Sequence, residues 1–145
     1  MTKFAAASWE ECLHALQLII PSARSLGLDD IDRMAQMNGE EMRWVSLPNW
    51  EDLEDPEILG AMLGSEVIRG SDCGILVPAM CYYGLHSPFL VPYDHIKGFV
   101  AQFFVQHGES FFNGDTVILL PSYGTIYLFS HDGLYSRLSH GSKNE

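Results

Sequence analysis

Basic residues are scarce in this chain. Eight Lys and Arg stand against nineteen Asp and Glu, giving a formal net charge of −11 and an isoelectric point near 4.7. A surface this negative repels phosphate backbones, which sets direct nucleic-acid binding aside and favours a basic partner. Cysteine is sparse too. Cys12, Cys73 and Cys81 form an odd set without paired spacing, so a disulfide-stapled secreted domain is not expected and a reducing, cytoplasmic setting is. Long apolar runs are missing: nothing approaches the roughly 18 residues of a membrane-spanning helix, so no membrane association is expected. The apolar stretch at residues 4–7 stops at Ser8 before Glu10 and Glu11, short of a signal-peptide core. Neither a repeat nor a Gly/Ser linker divides the sequence. What is present is 145 residues, 47% hydrophobic and 12% aromatic, with a mean hydropathy of +0.03. That suffices for one domain burying roughly two-thirds of its unfolded surface.

The patterning predicts an α+β fold, with a helix-rich N-terminal half and a C-terminal antiparallel β-meander. A single domain spans residues 1–145, with 139–145 as a frayed polar tail. Ser8 and Glu11 fit a capping box, and Trp9, Cys12, Leu13, Leu16, Ile19 and Ile20 recur at helical spacing until Pro21. A second helix starts at Asp29, carries Ile31, Met34 and Met37 on one face, and ends at Asn38-Gly39. A third has Asp55 as N-cap and Pro56 at its first position, turns Ile58, Leu59, Met62 and Leu63 inward, and stops at Gly64. Residues 73–83 read as an apolar strand in which Pro78 marks an edge or a bulge. Residues 86–92, interrupted by Pro88 and Pro92, read as an extended loop. The strongest helix covers residues 94–107, with Ile96, Phe99, Val100, Phe103 and Phe104 as its stripe and Gly108 as its stop. Residues 116–120, 125–129 and 134–138 form the meander, turning at 121–124 and at His131-Asp132-Gly133.

No motif states a chemistry. Cys81, His86 and His95 lie close in sequence but lack zinc-ligand spacing, so no metal is expected. A nucleophilic Cys73 or Cys81 needs an electropositive setting, and only Arg69 and Lys97 lie near. The glycine pairs Gly60/Gly64 and Gly70/Gly74 lack the lysine of a phosphate loop. Ser130, His131 and Asp132 are consecutive in a tight turn, which cannot hold triad geometry. Neither a catalytic group nor a cofactor is therefore expected. Two alternatives remain. One is a small enzyme or ligand-binding domain using the Cys73–His95 region around a pocket lined by Tyr82, Tyr83 and Phe89. The other is a nucleic-acid mimic that spaces its acids at phosphate-like intervals.

Charge distribution carries more information than any motif. Residues 29–57 hold ten acids (Asp29, Asp30, Asp32, Glu40, Glu41, Glu51, Asp52, Glu54, Asp55 and Glu57) against Arg33 and Arg43. Some of these suit helix N-termini, as Asp29, Asp30, Asp55 and Glu57 do. Trp44 and Trp50 stand among them. An aromatic anchor ringed by carboxylates suits capture of a basic protein, the ring supplying contact area and the acids steering association. The candidate partner-binding residues are therefore Trp44, Trp50, Glu51, Asp52, Glu54, Asp55 and Glu57, joined by Tyr123 and Tyr127 on the meander. With its acidic 29–57 segment and C-terminal meander, the chain resembles the bacterial toxin-immunity class, the cognate inhibitors of contact-dependent and other polymorphic toxins. That resemblance implies a cytoplasmic, non-catalytic protein that binds one toxin domain, often a basic nuclease, and covers or flanks its active site.

Overall fold

The computed structural model describes residues 4–139, and the architecture is α+β. Its α-helices are α1 (Trp9–Gln17), α2 (Leu28–Met37), α3 (Asp55–Leu63), α4 (Ala79–Tyr82) and α5 (Ile96–His107). Its strands are β1 (Val45–Ser46), β2 (Cys73–Val77), β3 (Phe89–Pro92), β4 (Thr116–Leu120), β5 (Thr125–Phe129) and β6 (Leu134–Ser139). They form one antiparallel sheet in the order β1-β6-β5-β4-β2-β3. The expected meander is β4-β5-β6, but strands from earlier in the chain extend it on both sides.

Local signals act at several element ends. Glu11 N–H donates to Ser8 Oγ at 3.0 Å and Ser8 N–H to Glu11 Oε1 at 2.8 Å, a complete capping box. α5 ends at Gly108, whose φ of +79° suits glycine. Other expectations are corrected. α1 stops at Gln17, well before Pro21, and Ile19 and Ile20 are buried from the turn that follows. α2 buries Leu28, Ile31 and Ala35, leaving Met37 exposed, and Phe104 of α5 is likewise exposed. Pro78 marks neither an edge nor a bulge. It ends β2, an interior strand, and leads into α4, because proline has no N–H with which to continue the ladder. Residues 86–92 are not all loop either, since Phe89–Pro92 is β3 at the sheet edge. That edge is covered by the segment before α1: Leu90 N–H donates to Ala5 O at 2.9 Å and Ala7 N–H to Pro88 O at 2.8 Å. Ser139 belongs to β6, opposite Thr125, so the tail expected from residue 139 begins no earlier than 140, and 140–145 lie outside the described residues.

Every residue of β4 and β5 is buried, so both faces of the sheet are covered. α5 lies on one face. Gly74 admits it closely, since a Cβ there would sit 3.2 Å from Ile96 Cδ1, and Phe99 packs on Phe89 with ring centroids 5.0 Å apart. α3 packs beside α5. Tyr127 and Phe129 alternate with Ser136, across the ladder, to opposite faces. Ser136 donates its hydroxyl to Arg43 O at 2.8 Å, which places the segment after α2 on the second face. α1 and α2 add Cys12, Leu16, Ile31 and Ala35 to one continuous core.

Candidate functional site

Asn49, at φ +58°, opens a 3-10 turn over Trp50–Asp52. Asp52 N–H donates to Asn49 O at 2.9 Å and Leu53 N–H to Trp50 O at 3.1 Å. Two long-range ties hold this turn. The first is Trp50, half-buried, whose ring meets Phe129 edge-to-face at 5.3 Å. Its indole also lies on Gly133, where an added Cβ would overlap it and where φ is +81°. The second is Asp55, only 8% exposed, whose oxygens accept Phe111 N–H at 2.7 Å and Phe112 N–H at 3.1 Å. Asp55 is thus an internal anchor rather than a surface acid. Nor is it the N-cap, a place taken by Glu54, whose N–H donates to Glu57 Oε1 at 2.9 Å.

Glu51 and Asp52 on this turn, and Glu54 and Glu57 at the start of α3, are exposed. The ion pairs among the described residues join Arg33 to Asp30, His131 to Asp115 and Asp132, and Arg137 to Glu66. None involves these four acids. Trp44 is half-buried against the core. The two tyrosines do not join the group. Tyr127 is 1% exposed within β5, with the Arg137 guanidinium 5.9 Å from its ring centroid. Tyr123 stacks on Tyr93 at 5.1 Å, and its hydroxyl accepts Arg69 N–H and donates to Arg69 O. It precedes β5 at Thr125, whereas Trp50 meets that strand at its other end, Phe129.

The structure instead gathers acids from distant segments around the β5–β6 turn. His131 N–H donates to Asp115 Oδ1 at 2.9 Å, and Nδ1 lies 2.9 Å from the same oxygen. Asp132 Oδ1 lies 3.6 Å from Nε2. The Asp115 hydrogen bond, followed by the charges of Asp115, Asp132 and Asp29, holds His131 above the usual imidazole range. Asp29 comes from the first turn of α2, so the acidic run and the meander meet here. Asn113 borders two depressions. One, about 190 Å³, lies among Trp50, Glu51, Asp55 and Ser110. The other, about 420 Å³, lies among Tyr82, Tyr83, Asp115 and His131. Sequence reasoning missed this pairing because His131 reads only as part of a hairpin turn and Asp115 stands 16 residues earlier, just before β4.

The Cys73–His95 region is dispersed. Burial, then the charge of Glu11, pushes the Cys12 thiol up to about 11, and burial, then Cys12, pushes Cys81 up to about 12. Cys73 is exposed at the start of β2. His86 stacks on Phe89 at 4.3 Å and meets His107 at 5.9 Å, while His95 packs against Phe4 at 6.0 Å. Phe89 is itself buried in the core, so Tyr82 and Tyr83 line their cleft without it. Among the described residues, no group of three His, Cys, Asp or Glu is disposed to hold a metal, and no helix is long and apolar enough to cross a membrane. The chain matches no protein-family model, no curated protein and no solved structure.

Proposed function

We propose that this chain is a non-catalytic inhibitor that captures a basic protein in the cytoplasm and neutralises it, as toxin-immunity proteins do to nuclease-type toxins. One observation carries the reading: Glu51, Asp52, Glu54 and Glu57 stand exposed and without ion pairs among the described residues, on the turn and α3 start held by Trp50 and Asp55. Four exposed carboxylates within residues 51–57 offer a cationic partner several charges to pair with. Because the turn is already tied at both ends, little conformational entropy is lost on binding. The acids steer the encounter over a Debye length of about 8–10 Å, and in the complex they occupy positions that substrate phosphates take in a nuclease. Of the two candidate nucleophiles, the buried Cys81 thiol, pushed up to about 12, is a poor one.

The test is capture from a lysate of the source organism on the immobilised chain, at low salt, with elution in salt steps. The native chain retains one basic protein stoichiometrically, and adding free chain blocks that protein's own activity. The double substitution E51K/D52K weakens retention roughly 30-fold or more, the scale of losing a buried charge partner. Equal retention by the variant, or no retained protein, overturns the reading.

A further inference from the structure

Resting on that reading, we infer that the cleft between α4 and the β5–β6 turn seats one arginine side chain of the basic partner. Its volume of about 420 Å³ falls in the range of about 300–1,000 Å³ found for small-ligand sites. One wall is aromatic and fixed: the Tyr82 hydroxyl donates to Leu26 O at 2.6 Å, and its ring meets Trp9 at 5.6 Å. Tyr83, beside it, is 74% exposed and offers an uncovered ring. The same cleft also supplies acceptors. Asp115 Oδ1 is taken by His131, while Oδ2 has no hydrogen bond among the described residues. Asn113 commits its amide N–H to Glu109 Oε1 at 2.8 Å, leaving its own side-chain oxygen as an acceptor.

Aromatic rings lining one cleft with a carboxylate oxygen and an amide oxygen match a planar guanidinium, which stacks and forks at once. An ammonium is a point charge and uses this geometry less well. The local charge agrees, since Asp29, Asp115 and Asp132 all act on His131, the one cationic candidate among the residues lining the cleft. Asn113 lines both this cleft and the depression beside Glu51, so one partner reaches both.

The experiment titrates the isotope-labelled intact chain with N-acetyl-arginine amide and, separately, N-acetyl-lysine amide, following amide shifts by NMR. The arginine probe produces saturable shifts at Tyr83, Asn113 and Asp115 and binds about threefold or more tighter than the lysine probe. D115N, which keeps an acceptor for His131, weakens binding about fivefold or more, the equivalent of about 1 kcal/mol. Y83A, at an exposed position, does the same without loss of fold. Shifts spread evenly over residues 51–57, equal affinity for the lysine probe, or indifference to both substitutions overturns the assignment. If the probe fails while a basic protein is still captured, the cleft falls and the acidic turn stands. If the probe binds but no protein is captured, the arginine's origin in a protein partner is overturned.

Discussion

Removing the Asp55 side chain unties the candidate site from beneath. Its two oxygens satisfy the backbone N–H groups of Phe111 and Phe112, at 2.7 and 3.1 Å, and those residues are 0% and 1% exposed. In Asp55→Ala both donors lose the carboxylate that accepts them, and each buried, unsatisfied donor costs about 1–3 kcal/mol. The expected loss is therefore about 2–6 kcal/mol, a large share of the roughly 5–15 kcal/mol that such a domain has. At about 2–4 °C per kcal/mol for a chain near this size, the melting temperature falls by about 4–24 °C. Asp55→Asn keeps one acceptor but sets an amide N–H against a backbone N–H, so it loses about 1–3 kcal/mol. The assay is urea unfolding followed by tryptophan fluorescence, with Glu51→Ala and Asp52→Ala as surface controls expected to change stability by less than about 0.5 kcal/mol. A loss below about 1 kcal/mol in Asp55→Ala, or an equal loss in the controls, refutes the anchoring role.

Other outcomes follow from the same contacts. Gly133→Ala places a methyl group inside the Trp50 indole at a backbone φ of +81°, and thermal melting shows a loss of about 2–4 kcal/mol with a shifted tryptophan emission. His131 is held above its usual range when folded, so its contribution to stability is full below the unfolded imidazole value and fades as pH rises through the folded one. Native protein therefore exceeds His131→Gln in stability more at pH 5 than at pH 9. The gap stays below about 1 kcal/mol because the pair is exposed, and denaturant titration at the two pH values measures it. Alkylation with iodoacetamide, read by intact mass, modifies Cys73 in the native protein and all three thiols only in denaturant, since Cys12 and Cys81 are buried.

Features governed by neighbours a few residues apart were legible in the sequence. The Ser8–Glu11 capping box, the stop at Gly108 and the hairpins joining β4, β5 and β6 all close over short chain distances. Net charge and the crowding of acids in residues 29–57 were equally plain, because composition does not depend on folding. Other roles were settled by partners far along the chain. Asp55 reads as a helix cap until Phe111, 56 residues away, takes it inward. Pro78 reads as an edge marker until β3 and β4 pair on either side of β2. Tyr127 reads as a candidate partner contact until both faces of the sheet are covered. Likewise, Asp29, Asp115 and Asp132 are scattered acids until the α2 terminus and the β5–β6 turn bring them around His131. Short-range hydrogen bonding and charge are written residue by residue, whereas burial and the convergence of distant side chains exist only once the sheet has assembled.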